Sequence, residues 1–152
     1  MNKSFLLVGG SSDIARHLAT MLLADGHGVT LLARDADRVA SLVEQGAEFV
    51  QGDALDEEAV QSAVAHAAER GESGLAGMAH LVGSIALRPP HATKVEDFTA
   101  VINTNLTSAF LALKTAGKAM LKLGTGRMVF TSSVAGSYGL TNQIGRASCR
   151  ER

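Results

Sequence analysis

FLLVGGSSDIAR, residues 5–16, is the stretch that decides the fold. An apolar run typical of a buried β-strand ends in two glycines and two serines, and a segment with helical spacing of apolar residues follows at once. Glycine lets the backbone turn tightly and lets a phosphate approach it, while Ser12 can cap a helix whose first N–H groups attract an anion. The stretch therefore predicts a strand–turn–helix unit that binds a nucleotide phosphate, although an ordinary strand–helix turn would leave the same pattern.

The composition limits the classes of protein to which the chain can belong. Its 152 residues suffice for one domain with a hydrophobic core, and its net charge of −1 argues against a nucleic-acid or membrane-surface partner. The single cysteine, Cys149, excludes an internal disulfide and fits a reducing compartment. No apolar run has the length of a membrane span or of a signal-peptide core. We therefore expect a cytoplasmic protein with neither nucleic-acid nor membrane partners.

Apolar runs and amphipathic segments alternate along the whole chain. They predict strands at 4–8, 29–33, 47–51, within 75–82 and at 127–131, and helices at 14–25, 37–44, 59–70 and, in one or two segments, 93–123. Strands that alternate with helices form a parallel sheet with right-handed crossovers. The predicted fold class is α/β, a Rossmann-type doubly wound parallel sheet with helices on both faces and the strand order 3-2-1-4-5.

The end of the second predicted strand indicates which dinucleotide is bound. Ala33 stands where an acidic residue would accept a hydrogen bond from the 2′-hydroxyl of NAD. Arg34 comes next, and an arginine at this place can pair with the 2′-phosphate of NADP. The sequence thus favours NADP, with NAD still possible, because Arg34 and Arg38 could also be ordinary solvated charges.

Several segments resemble motifs of the short-chain dehydrogenase/reductase family. GGSSDIA at 9–15 resembles the family's GxxxGxG turn, with Asp13 and Ala15 in place of the later glycines. HLVG at 80–83 stands where the family has NNAG, NLTS at 105–108 resembles its NLxG/S helix motif, and SSVAG at 132–136 resembles its SSxxG segment. The motifs occur in the family's order, and the resemblance covers the chain through about residue 142.

The resemblance implies an oxidoreductase that transfers a hydride between NADP and a small carbonyl or alcohol substrate, and a complete protein that forms homo-oligomers. It implies that Asn105 and Ser133 are catalytic, with Ser133 hydrogen-bonded to the substrate carbonyl. It further implies a set of cofactor-binding residues, in which Asp53 contacts the adenine: Gly9, Ser11, Ser12, Asp13, Ile14, Arg34, Asp53, Ala54, Val82 and Gly83. No metal site is expected, and His80 is expected to be a packed histidine.

The family's proton-transfer pair, Tyr-xxx-Lys, is missing from its expected place. The family register puts the tyrosine at Arg146 and the lysine at Arg150, and arginine does not donate a proton near neutral pH. The last ten residues lose helical periodicity and resemble a translated sequencing adapter. We therefore expect an incomplete NAD(P)-binding Rossmann domain at 1–142, truncated after the fifth strand, a non-native tail at 143–152, and no turnover by this fragment.

Two other functions remain open at the level of the sequence. A non-catalytic NADP-binding sensor or regulatory module would keep the glycine turn and Arg34 without the proton-transfer pair. An extended-type sugar-nucleotide epimerase is left open by the missing third glycine, although Asn105 and the paired serines argue against it. A Tyr-xxx-Lys sequence soon after Asn142 in the completed gene would favour the oxidoreductase.

Overall fold

The structure, a computed structural model, describes residues 2–133 and, beyond them, only the short strand Gln143–Ile144. Its strands are β1 (Ser4–Val8), β2 (Gly28–Ala33), β3 (Glu48–Gln51), β4 (Leu75–His80), β5 (Ala86–Leu87), β6 (Arg127–Phe130) and β7 (Gln143–Ile144). Its helices are α1 (Asp13–Ala24), α2 (Ala40–Glu44), α3 (Glu57–Arg70), α4 (Val95–Ile102) and α5 (Ser108–Leu123). Every predicted strand and helix is therefore present, and most ends differ by one to three residues.

The main sheet contains five parallel strands in the order β3-β2-β1-β4-β6. This confirms the predicted Rossmann-type order, with β6 as the fifth long strand. Because the strands are parallel, their carboxyl ends, and the loops that follow them, meet at one edge of the sheet. β5 and β7 form a separate antiparallel pair, in which Ala86 lies opposite Ile144. Neither was predicted, since a two-residue strand leaves no periodic pattern in the sequence.

Helices cover both faces of the sheet, as predicted. Leu6 of β1 is fully buried in one cluster with Val60 of α3 and Ala116 of α5. Leu7 is buried on the opposite face with Ala19 of α1 and Leu42 of α2. Successive strand residues point to opposite faces, so a continuous apolar run such as β1 supplies both cores.

Local hydrogen bonds explain why two helices begin later than predicted. The Asp35 carboxylate accepts the Asp37 N–H at 3.0 Å, and this turn delays the start of α2 to Ala40. The Thr93 hydroxyl donates to the Pro89 carbonyl at 3.0 Å, and α4 then begins at Val95. In both places a short polar side chain bonds to the backbone in a turn instead of continuing the helix.

The long helical region predicted at 93–123 is interrupted in its middle. Residues Asn103–Thr107 form a π-helical turn between α4 and α5, closed by the Ser108 N–H, which donates to the Asn103 carbonyl five residues earlier. Such turns are rare and frequently lie at functional sites. The NLTS motif therefore lies on an irregular turn. Within 2–133, no helix is both long and apolar enough to cross a bilayer.

Candidate functional site

The turn after β1 brings the chain against the end of β4. Gly9 has a φ of +87°, and a Cβ at this position would lie 2.9 Å from Val82 Cγ2. The N–H groups of Gly9 and Gly10 both donate to the Leu32 carbonyl at 3.0 Å, which anchors the turn to β2. Position 9 therefore requires glycine for its backbone conformation and for the close approach, and the turn lines one side of a groove.

The first turn of α1 opens onto the same groove. Ser12 caps the helix by accepting the Ala15 N–H at 3.1 Å, and Ser11 and Ser12 both line the groove. The unpaired N–H groups and the dipole of a helix N-terminus favour an anion here. The Asp13 side chain is 84% exposed and lies 3.6 Å from the Arg16 guanidinium, outside the groove. A bound anion would therefore meet the cap and not this carboxylate.

Two predicted cofactor-binding residues at strand ends contact each other. Arg34 Nη1 lies 3.6 Å from Asp53 Oδ2, and the two side chains are 80% and 45% exposed. Asp53 Oδ1 also accepts the Leu55 N–H at 2.9 Å, which fixes the turn after β3. An exposed ion pair of this kind contributes only about 0–1 kcal/mol, so Arg34 can exchange Asp53 for another anion at little cost.

Asn105 connects the π turn to the segment that follows β4. Its Oδ1 accepts the Ser84 N–H and its Nδ2 donates to the Ser84 carbonyl, each at 2.9 Å. Gly83 lies close to the Asn105 side chain: a Cβ at position 83 would be 3.3 Å from Asn105 Oδ1. Val82, Gly83 and Ser84 line the groove, and Asn105 holds this wall from behind without lining it.

His80 is buried beneath the same wall. It is 2% exposed, and its Nε2 lies 2.9 Å from Ser108 Oγ. Burial lowers the pKa of His80, because the charged imidazolium would lose its hydration. The side chain is thus a packed, hydrogen-bonded histidine.

These parts enclose one groove of about 470 Å³ at the carboxyl edge of the sheet, a volume within the range of small-molecule and cofactor sites. Eight predicted site residues line it: Gly9, Ser11, Ser12, Arg34, Asp53, Ala54, Val82 and Gly83. Four do not: Asp13, Ile14, Asn105 and Ser133. Ile14 is 61% exposed. Ser133 lies three residues beyond β6, the sheet neighbour of β4, and hence near the same edge.

The family positions of the proton-transfer pair, Arg146 and Arg150, lie outside the residues that the structure describes. The proposed foreign segment at 143–152 is described only at Gln143–Ile144, and its origin stays a prediction. Across the described part of the chain, no group of three or more histidine, cysteine or acidic side chains could hold a metal ion.

Sequence reasoning missed several residues that line the groove, among them Arg38, Thr104 and Ser108. Arg38 left a signal, since it follows Arg34 by four residues and adds a second positive charge near the end of β2. Thr104 and Ser108 lie within three residues of Asn105 in the sequence, but the prediction for this region was a regular helix. Thr104 lies within the π turn and Ser108 directly follows it, and the sequence pattern did not show that turn.

Comparisons with known proteins agree with this architecture. A family model described as short chain dehydrogenase matches residues 3–148. The 3-oxoacyl-[acyl-carrier-protein] reductase MabA of Mycobacterium tuberculosis is 33% identical over 150 residues, covering 99% of this chain and 58% of that protein. A short-chain type dehydrogenase/reductase from Mycobacterium ulcerans superposes with a TM-score of 0.89 at 23% identity, covering 97% of this chain and 57% of its own. ElxO, solved with NADP bound, gives a TM-score of 0.83 at 28% identity, with coverages of 97% and 62%.

The chain thus spans less than two thirds of the length of each of these proteins. The match to the family model nevertheless extends over nearly all of it, from the first strand past the SSVAG segment. The glycine turn, the strand order and the π turn with Asn105 lie within that match. The chain belongs to the short-chain dehydrogenase family.

Proposed function

We propose that this chain is the nucleotide-binding portion of an NADP-dependent oxidoreductase that transfers a hydride between NADP and a carbonyl or alcohol group of a small molecule. The observation that carries the proposal is the groove, which has the start of α1 on one side and Arg34 and Arg38 beside the end of β2. A helix N-terminus suits a pyrophosphate, and arginines beside the end of β2, where Ala33 stands in place of an acid, suit a 2′-phosphate. The NADP-bound state of ElxO, a 28% identical structure, supports the same nucleotide.

The residues of the groove fit such a cofactor. Gly9 lets the turn pack against Leu81 and Val82, just beyond β4, and the turn lines the groove beside Ser12, where the pyrophosphate would lie. Arg34 would bind the 2′-phosphate, and Asp53 would lie near the adenine. Gly83 would let the remaining part of the dinucleotide lie against the end of β4. When bound, the nicotinamide supplies or accepts the hydride.

The substrate would meet the cofactor where β4 and β6 end. Ser133, just beyond β6, would hydrogen-bond the substrate carbonyl, and Asn105 would hold the adjacent wall and carry part of a proton relay. We propose that the proton-transfer pair belongs to the complete protein beyond this chain, and that the complete protein is a cytoplasmic homo-oligomer. The name of the 33% identical relative MabA, a reductase, supports an oxidoreductase over a sensor module or an epimerase.

Arg34→Ala tests the proposed nucleotide preference. Loss of charge-assisted hydrogen bonds worth about 1.5–3 kcal/mol should weaken NADP⁺ binding roughly 10- to 100-fold in isothermal titration. NAD⁺ binding should not change, because NAD⁺ has no phosphate for Arg34 to bind. Arg16→Ala is the matched control, since Arg16 also lies 3.6 Å from an exposed carboxylate but outside the groove. A wild-type chain that binds neither nucleotide would refute the proposed function, and equal weakening of both would refute the role of Arg34.

A further inference from the structure

His80 and Ser108 form a buried polar contact directly beneath the groove. His80 is the last residue of β4 and Ser108 the first of α5, and both side chains are shielded from solvent. The 2.9 Å hydrogen bond between His80 Nε2 and Ser108 Oγ links these two elements. A buried imidazole without a partner would cost free energy, so this contact favours one placement of α5 against β4.

The direction of the hydrogen bonds follows from the partners. Ser108 Oγ lies 2.6 Å from the Thr104 carbonyl, which can only accept, so the single hydroxyl proton is donated there. Toward His80 the hydroxyl is then an acceptor, and Nε2 must carry a proton. Burial lowers the pKa of the ring and favours its neutral form, which carries one proton, so with Nε2 protonated by this geometry Nδ1 is not. His80 is therefore the Nε2–H tautomer and donates to Ser108.

This chain of hydrogen bonds ends in the π turn. Thr104 and Ser108 both line the groove, and the Ser108 N–H closes the turn. Asn105, in the same turn, holds Ser84 of the groove wall through two further hydrogen bonds. A backbone conformation this rare persists where the surrounding structure supports it. His80 supplies such support on one side of the turn.

The other face of His80 is held by β6. Its ring centroid lies 5.9 Å from that of Phe130, and its carbonyl accepts from both the N–H and the hydroxyl of Thr131. β4, α5 and the end of β6 thus meet at one residue, His80. Its position is fixed from two sides, as the support of an irregular turn requires.

We propose that His80 is a positioning residue of the groove, which acts through Ser108 to hold the π turn that places Thr104 and Asn105. This inference rests on the proposed nucleotide-binding function. According to this proposal, a buried side chain determines the shape of the groove wall that a bound nucleotide contacts. His80 itself touches no part of the groove surface.

Three variants of the 152-residue chain separate the hydrogen bond from the bulk of the side chain. His80→Leu keeps an apolar group of similar size and Ser108→Ala removes the acceptor, whereas His80→Gln can still donate from its terminal amide. Hydrogen exchange of the Ser108 amide should rise about tenfold in the first two variants, the factor for one lost buried hydrogen bond, and stay near wild type in the third. NADP⁺ affinity should fall in the same two variants by about tenfold.

Exchange of the α3 amides controls for general destabilisation and should not change. The double variant His80→Leu/Ser108→Ala should be no worse than either single variant, because both remove one interaction. A protonated Nδ1 in the ¹⁵N NMR spectrum of the His80 ring, additive effects, or equal acceleration of exchange in α3 would overturn the proposal. The hydrogen-exchange and NMR measurements need no nucleotide. If they give the expected results but the wild-type chain binds no NADP⁺, the proposed function is refuted and the role of His80 in the turn is upheld.

Discussion

Arg34 has two possible anionic partners. It contacts the Asp53 carboxylate in the structure, and it would contact the 2′-phosphate of the proposed cofactor. The contact with Asp53 is 3.6 Å long and exposed, so it is weak and screened by salt. It holds the guanidinium near the groove without neutralising it fully. The same carboxylate would, however, repel a phosphate bound beside Arg34.

Asp53→Asn should therefore strengthen NADP⁺ binding. Asparagine keeps the Oδ1 acceptor for the Leu55 N–H and loses only the charge. We expect a gain of about 2- to 5-fold in NADP⁺ affinity at low salt, which corresponds to ~0.4–1 kcal/mol, and a smaller change for NAD⁺. Isothermal titration at two salt concentrations measures both, and the gain should shrink at the higher one. In an Arg34→Ala background the gain should remain, because the carboxylate repels the phosphate directly, and a loss of affinity for both nucleotides would show that the charge of Asp53 serves binding.

Asp13 occupies a family glycine position but not the groove. Asp13→Gly should leave NADP⁺ affinity equal or higher, because the exposed carboxylate at the start of α1 offers nothing to a phosphate. It should lower the free energy of unfolding by about 1 kcal/mol, since the helix loses a first-turn acid and the contact with Arg16. Titration and urea denaturation measure the two effects. Asp13→Asn is the conservative control, and a large loss of affinity in either variant would place Asp13 in the site after all.

The glycine turn after β1 shows how local conformation and tertiary contact act on the same position. Gly9 and Gly26 both have positive φ, +87° and +76°. A Cβ at Gly26 would meet nothing within 4 Å, whereas one at Gly9 would meet Val82 at 2.9 Å and the Leu81 backbone at 3.0 Å. The two glycines therefore differ in surrounding space and not in backbone conformation.

Gly9→Ala should cost more than Gly26→Ala for this reason. Gly26→Ala should lower the free energy of unfolding by ~1–2 kcal/mol, the cost of left-handed backbone for an alanine, and leave nucleotide binding unchanged. Gly9→Ala should add about 1–3 kcal/mol of overpacking and abolish measurable binding, because the turn must move away from β4. Urea denaturation and NADP⁺ titration of both variants provide the comparison. Equal costs in the two variants would mean that the contact with Val82 relaxes freely.

The π turn is the part of the helical region that the sequence did not predict. Apolar periodicity predicted the helical region at 93–123, and the resemblance of NLTS to the family's helix motif identified Asn105 within it. A periodic pattern describes a regular helix, so it carried no information on the insertion of one residue at Asn103–Thr107. Thr104 and Ser108 line the groove in and beside that turn, and their place there could not be predicted.

Across the molecule, the sequence predicted the order of the sheet and both helix layers because these depend on patterns within single segments. Apolar runs mark the strands, and their alternation with helices, beginning with a glycine turn, is typical of a doubly wound sheet with this strand order. The site depends on contacts between residues far apart in the chain, such as Arg34 with Asp53 and His80 with Ser108. The sequence indicated Arg34, Asp53 and His80 individually but not Ser108, and the pairing of these side chains required the packed structure.

Binding in the groove should be coupled to the stability of the whole domain, because the groove is formed by loops after β1, β2, β3 and β4 and exists only in the folded chain. NADP⁺ at one hundred times its Kd should add about 2.7 kcal/mol to the free energy of unfolding. For a chain of this length that corresponds to a rise in Tm of roughly 5–11 °C. NAD⁺ at the same concentration should give a smaller rise, since it makes no contact with Arg34.

Differential scanning calorimetry of wild type and Arg34→Ala separates the two contributions. Without nucleotide the variant should keep the Tm of the wild type, because Arg34 is 80% exposed. With NADP⁺ the variant should lose most of the rise in Tm. Identical shifts from NADP⁺ and NAD⁺ in the wild-type chain would contradict the preference for the phosphorylated cofactor and leave only the dinucleotide site.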